Sequence, residues 1–410
     1  MSVKRLLNII LLLGALGIFS GSSLNPSLAM ENSAIQSIDN RWLVVLKKLV
    51  EENSGSNNLE GLERNRKILI EEFERVGFVT TTHEVRGGHK VLSFQKKGAN
   101  PTVALLGHID TVFEANTNFR VFTVEKEKIK GPGVIDMKGG LVLMMNLLDQ
   151  LNQENPELVQ KIRIIINDDE ETGSTYSKEK LMELTKGLSY GMVFEPGLEN
   201  GDLVTSQLGV NWIQIDVKGK AAHAGLEPEK GVNACTELSH KIIKLERLMN
   251  YQKGPFINPG VIEGGSKPNV ICDRASVKVD IRFVDDKQLE NTYKKIKKIV
   301  DTSTVYNEIV NQGTTASLQK LAALPSMPES ATKDLFVLAQ KAGLEIGQTV
   351  KGQRVGYGSD ANHLASTGLK LLVGVGPYGG KMHTEEEYML VSAYKERFQL
   401  NYQLMKQILK

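Results

Sequence analysis

The stretch Ile162–Ser174, IRIIINDDEETGS, sets five residues of nearly unbroken isoleucine, then a single Asn167, ahead of four consecutive acids, Asp168, Asp169, Glu170 and Glu171. A short, β-branched apolar run of this kind reads as a strand covered on both faces. A strand of the core has no reason to end in charge, because each carboxylate taken from water costs free energy unless it finds a partner. In open α/β sheets, ligands collect beyond the carboxyl ends of the strands. The acid run is therefore read as a delivery of carboxylates to a site.

Other strand ends carry the same kind of cargo. Thr102 to Leu106 runs into Gly107-His108-Ile109-Asp110-Thr111, and Met192 to Phe194 runs into Glu195-Pro196-Gly197. The Gly-rich turn at 131–133 leads through Asp136 into Gly139-Gly140, and His383 follows the apolar run Leu371 to Val375. Any one of these clusters could be a turn or a solvated loop; five of them at the ends of separate strands point to one shared metal site. Two histidines with three or more carboxylates and no cysteine form the nitrogen and oxygen donor set that suits zinc or a neighbouring divalent metal. A carboxylate shared between two ions can hold them about 3.5 Å apart. Two adjacent glutamates then divide the work, one binding metal and the other free to take a proton from water. Asp110, two residues past His108, is placed to receive the imidazole proton on the nitrogen away from the metal.

At 410 residues the chain is long enough for two domains, and 41% apolar with 24% charged residues is an ordinary globular balance. Lys4-Arg5, the apolar run Leu6 to Phe19 and the small residues up to Ala29 read as a cleavable export signal, residues 1–29. That apolar run is 14 residues long, short of the roughly 20 that span a bilayer. Removing Lys4 and Arg5 takes the basic residues from 50 to 48, against 48 acids. A formally neutral chain without basic runs points away from nucleic acid and from an anionic membrane surface. Cys235 and Cys272 lack CxxC spacing, and are expected to be two separate buried thiols.

Helical spacing over 42–50 and 62–76, then strands and helices in alternation to residue 194, predict an α/β domain with a mainly parallel sheet covered on both faces. From about residue 210 the texture changes: Trp212 to Val217 and Val277 to Phe283 alternate apolar and polar, as strands with one wet face do. With helices at 233–248 and 287–300 and a last strand at 305–310, this segment reads as an inserted ferredoxin-like α+β unit. The expected organisation is a catalytic domain in two parts, 30–208 and 321–410, around an inserted domain at 209–320.

In content and order, the segments GHIDTV (107–112), GPGVIDMKGG (131–140), DDEETGS (168–174), VFEPG (193–197), GKAAHAG (219–225), GGSKPNVICDRASVKVDIR (264–282), GSDAN (358–362) and MHTEEEYM (382–389) resemble one family. It is the di-zinc exopeptidase and amidohydrolase family that includes carboxypeptidase G, aminoacylase, acetylornithine deacetylase and the bacterial tripeptidase, with carboxypeptidase G nearest in pattern. The resemblance implies two zinc ions per subunit, one on His108 and Glu195, the other on Glu171 and His383, bridged by Asp136. It implies that Glu170 is the general base, that Asp110 supports His108, and that a cis peptide follows Asp136. It implies that the inserted domain is a dimerisation lid, whose His223 polarises the substrate carbonyl in the partner's site. Asn269 and Arg282 match residues that grip the substrate's free carboxylate, and Gly358 joins them as a substrate-binding position. Lys351, Arg354 and Lys381 are the candidates for meeting a glutamate side chain.

The expected function is that of a secreted, periplasmic zinc metallocarboxypeptidase acting as a homodimer on peptides or N-acyl amino acids. An aminoacylase or dipeptidase would need the same residues. A non-catalytic periplasmic binding protein on the same fold is the alternative of another class, which the pairing of Glu170 with Glu171 disfavours.

Overall fold

The computed structural model describes residues 40–410; the segment 1–29, read above as an export signal, lies outside the described residues. An eight-stranded sheet takes the order 79–84, 90–95, 162–167, 103–108, 190–193, 370–373, 203–207, 352–355. The strands 162–167, 103–108, 190–193 and 370–373 are neighbours and run parallel, while 79–84, 90–95 and 203–207 pair antiparallel with the strands that precede them in that order or follow them. The sheet is thus mixed with a parallel centre, and four carboxyl ends emerge side by side.

Strand alternation divides the core in two. Leu105, Ile162, Ile164 and Met192 face helices Asn40–Glu51, Leu59–Arg75, Gly139–Glu154 and Val391–Ile408. Ala104, Leu106, Ile165 and Val193 face Leu181 of helix Lys178–Thr185 and Ala361 and Leu364 of helix Asp360–Leu364. Helix starts follow local chemistry: Asn58 accepts the Gly61 N–H at 3.1 Å, and Ser359 with Asn362 forms a capping box.

The chain leaves this sheet after Gln207 and returns at Met327, whose backbone exchanges two hydrogen bonds with that of Gln207. Between them a second sheet has the order 256–264, 274–283, 209–218, 315–324, wholly antiparallel. Numbered along the chain that is 2-3-1-4, the ferredoxin-like arrangement. Ile213, Ile215, Val277, Val279 and Ile281 form its dry face against helices Ala234–Glu246 and Asp286–Asp301.

Three expectations are corrected. The fourth lid strand is Thr315–Leu324, not 305–310, where Tyr306–Asn307 only pairs with Gln312–Gly313 in a small hairpin. Its sequence, TASLQKLAAL, is rich in Ala and Leu and poor in β-branched residues, so propensity hid it. The strand also runs through residue 320, so the return to the catalytic domain falls past Leu324. Finally, Cys235 and Cys272 form a disulfide, S–S 2.08 Å, with Cα atoms 5.7 Å apart. The Ala234 N–H donates to the Cys272 carbonyl at 2.7 Å, which lays the two segments side by side despite their separation of 37 residues.

Candidate metal centre

Neighbouring strands lie about 4.8 Å apart, so residues just past adjacent carboxyl ends meet without long loops. His108 closes strand 103–108, Glu170 and Glu171 form a 3-10 turn beyond strand 162–167, and Glu195 follows strand 190–193. Asp136 comes from the turn 134–138, with a cis peptide between Asp136 and Met137. His383 comes from the loop after Gly380 and has a left-handed φ of 63°.

Asp136 lies between the two imidazoles. Its Oδ1 is 3.4 Å from His108 Nε2 and its Oδ2 is 3.1 Å from His383 Nε2. Glu195 stands on the first side, 3.5 Å from His108 Nε2, and Glu171 on the second, 3.3 Å from His383 Nε2. Two groups of donor atoms, from His108, Glu170 and Glu195 and from His108, Asp136 and Glu171, each fall within 4.8 Å of one another.

Asp110 organises the floor of this arrangement. His108 Nδ1 lies 3.0 Å from the Asp110 carbonyl and 3.2 Å from Oδ1, so the ring proton sits there and Nε2 keeps its lone pair for the centre. The same carboxylate accepts the Glu170 N–H on Oδ1 and the Glu171 N–H on Oδ2, both at 3.1 Å, and the Ser56 hydroxyl at 2.7 Å. One buried aspartate therefore sets a histidine and both glutamates.

The donor set fits cations. His108 Nε2 and Glu171 Oε1 are buried with no hydrogen-bond partner, a costly state that a bound cation relieves. Asp110, Asp136, Glu170, Glu171, Glu195 and Asp360 bring six carboxyls against two imidazoles. Burial pushes Glu171, Glu195 and Asp360 each up to about 7, and Glu170 well above the ordinary range. Burial also acts on Asp136, yet the two imidazoles that flank it, His108 and His383, outweigh burial and hold the carboxyl low. His383 is raised to about 10 by its bonds to Asp136 and Glu171. Such crowding of negative charge is the electrostatic setting of a metal site.

The remaining residues sort differently. Asp168 does not reach the centre: it is buried beneath helix Leu59–Arg75, paired with Arg66, bonded to His89 Nδ1 at 3.0 Å and to the Lys90 N–H at 3.1 Å. Asp169 accepts the Tyr176 N–H at 2.7 Å and shapes the loop after the 3-10 turn. On the lid, His223 is exposed, and its Nδ1 accepts the Gly225 and Leu226 N–H groups at 3.2 and 3.1 Å. That fixes the neutral tautomer with the proton on Nε2, a free donor. Asn269 is tied to the same loop, its carbonyl taking the Ala224 N–H at 2.9 Å. Arg282 reaches the catalytic domain, where Nη1 donates to the Gly356 carbonyl at 3.2 Å, two residues before Gly358. No hydrogen bond or ion pair joins His223 to the five central residues among the described residues of this single chain. Lys351, Arg354 and Lys381 are exposed, the first two at the edge strand Gly352–Val355 or just before it.

Three contributors were not among the expected site residues. Ser56 supports Asp110; Asp360 is buried in hydrogen-bond contact with Ser174; and Glu387 takes the N–H groups of Gly133, Ile135 and Asp136. Asp360 and Glu387 lie inside GSDAN and MHTEEEYM, so the signal was present there, while nothing local marks Ser56.

Known proteins resemble this chain over most of its length. The model of peptidase family M20/M25/M40 matches residues 104–407. Carboxypeptidase G2 of Pseudomonas sp. (strain RS-16) is 28% identical over 360 residues, 86% of this chain and 85% of that protein. Acetylornithine deacetylase of Buchnera aphidicola is 26% identical over 324 residues, 70% of this chain and 83% of that protein. Among solved structures, aminopeptidase PepT of Bacillus cereus superposes with a TM-score of 0.77 at 23% identity, covering 90% of this chain and 98% of that one. The Bacillus subtilis YXEP protein, described as a dinuclear metal-binding peptidase, gives 0.65 at 17% identity, covering 90% and 98%.

Proposed function

Because the chain belongs to peptidase family M20/M25/M40 and is a metal-dependent peptidase or amidohydrolase, we propose that it is an exported, dimeric zinc carboxypeptidase. Its substrates would be peptides or N-acyl amino acids with a free C-terminal carboxylate. His108 and Glu195 would hold one zinc, Glu171 and His383 the other, with Asp136 between them. Bound there, the two ions supply Lewis acidity toward the scissile carbonyl and acidify a water molecule. The observation that carries this reading is the placement of Asp136 between two imidazoles with one further glutamate on each side.

Glu170 is the base that remains once the other acids have their tasks. Its backbone is clamped by Asp110, and burial raises its carboxyl above the ordinary range, which makes it a stronger proton acceptor. It takes the proton of the attacking water and returns it to the leaving amine. His223 of the partner subunit offers its Nε2 proton to the carbonyl oxygen as charge develops there. Arg282 and Asn269 orient the substrate by its carboxylate, and closure of the lid would exclude bulk water.

The test is release of a free amino acid by purified protein loaded with zinc. The panel should contain N-acyl amino acids, dipeptides and folyl-glutamate, each with and without a chelator. Turnover that varies with the C-terminal residue and stops with the chelator is expected. Absence of metal-dependent turnover across the whole panel rejects the carboxypeptidase reading. Turnover with no preference at the C-terminal residue moves the assignment to an aminoacylase or dipeptidase.

A further inference from the structure

Arg282 is the lid residue that touches the catalytic domain through the Gly356 carbonyl, and its direction is controlled from behind. It stands across from Val210 on the paired strand, and Asp280, two residues earlier, stands across from Trp212. Period-two alternation puts Arg282, Asp280 and Trp212 on one face of the lid sheet. Arg282 Nε donates to both oxygens of Asp280, at 3.1 and 2.9 Å. Asp280 Oδ1 also accepts the Trp212 indole N–H at 2.9 Å. The indole is half exposed, 49%, and Arg282 and Asp280 are about a third exposed.

An arginine on a partly wet sheet face would otherwise sample many rotamers, and a bidentate grip on a carboxylate needs one of them. Asp280 fills the Nε position and Gly356 takes one Nη1 proton, so the end-on pair formed by Nη1 and Nη2 is what remains for a ligand. Asp280 also offsets the guanidinium charge. Attraction to any anion is thereby weakened, and recognition rests on the direction of the fork.

We infer that Asp280, braced by Trp212, is a positioning residue that aims Arg282 at a free carboxylate, so that the lid distinguishes a C-terminal carboxylate from its amide. This rests on the assignment of Arg282 as the carboxylate clamp.

Calorimetry with zinc-loaded protein in a Glu170→Gln background reads this without turnover. The ligands are an N-acyl amino acid and its carboxamide. Asp280→Ala is expected to weaken carboxylate binding about tenfold and to leave carboxamide binding unchanged. Asp280→Asn keeps an oxygen for Nε and is expected to regain most of that loss; Trp212→Phe removes the indole N–H while keeping an aromatic ring, and gives a smaller loss in the same direction. In the active background, the Asp280→Ala effect should fall on KM, with kcat within about twofold of the parent. Equal weakening of both ligands, or no weakening of either, overturns the inference while leaving the clamp in place. If the parent protein does not prefer the carboxylate, the clamp assignment falls and the inference falls with it.

Discussion

The carboxylate of Glu387 holds the turn that presents Asp136. Its Oε1 accepts the Asp136 N–H at 3.2 Å and the Ile135 N–H at 2.9 Å, and its Oε2 accepts the Gly133 N–H at 3.1 Å. Glu387 is 1% exposed, so its oxygens are shielded from bulk water. Gly133 has a left-handed φ of 71°, and a Cβ there would meet Thr111 at 2.5 Å, which makes the turn hard to build any other way. The position of Asp136 between the two imidazoles of the candidate metal centre thus depends on a carboxylate more than 250 residues downstream.

Glu387→Gln sets an amide NH2 against the Gly133 N–H and leaves that donor unsatisfied. Zinc affinity is expected to fall about 10- to 100-fold, as for other groups that orient a metal ligand. Competition with a zinc-binding dye measures it. Affinity equal to the parent's would remove Glu387 from the site.

Glu170→Gln separates metal binding from chemistry. Because the glutamine keeps the backbone N–H that Asp110 accepts, fold and zinc content should persist while kcat falls about 10²- to 10⁴-fold. Elemental analysis beside steady-state kinetics checks both halves. A normal kcat excludes Glu170 as the base.

Asp168 and Arg66 are 1% and 4% exposed, and with His89 they pin helix Leu59–Arg75 to the end of strand 162–167. Arg66→Met leaves a buried carboxylate short of its strongest partner and should cost about 3 to 5 kcal/mol of stability. Adding Asp168→Asn should return part of it. Denaturant unfolding of the single and double variants decides; equal losses in the two would mean that the arginine acts through packing alone.

The disulfide closes a loop of 37 residues that includes Asn269. On chain entropy, opening it should destabilise the lid by about 4 kcal/mol. Cys235→Ser with Cys272→Ser, or a reductant, is therefore expected to lower the unfolding temperature without releasing zinc. An unchanged transition would show that the two thiols are not joined in solution.

How much of this was legible beforehand follows from where each signal resides. The central residues are chemically conspicuous: His108, Glu195 and the 168–171 acids interrupt apolar strands, and the parallel arrangement brings strand ends together. Ser56, which donates to Asp110, and Asp280, which accepts the Trp212 indole N–H, act through hydrogen bonds that exist only once distant segments have packed, so their local sequence looks like any loop or wet strand face. The run 168–171 shows both cases at once. Its four acids are indistinguishable as letters, yet Glu171 faces His383, Glu170 sits beside His108, Asp169 ties a loop, and Asp168 belongs to Arg66. The cysteines erred for the same reason, since helix Ala234–Glu246 and the segment before strand Arg274–Phe283 meet only through the lid's packing.

His223 is the residue whose proposed role depends on a second copy of the chain. Its Nδ1 is occupied by two backbone N–H groups, which leaves an outward Nε2 proton and no contact with the centre of its own chain among the described residues. If that proton serves the partner's site, His223→Ala and Glu170→Gln should each be nearly inactive with zinc content intact. In a heterodimer of the two, one site combines an intact Glu170 with an intact His223 from across the interface. After random exchange of subunits, half the dimers carry one such site, so mixing should restore about a quarter of the parental activity. Recovery near that level, appearing at the rate of subunit exchange, supports a shared site. Mixtures that stay as inactive as their components would place both residues in the same subunit's reaction, and the dimer would then have no part in catalysis.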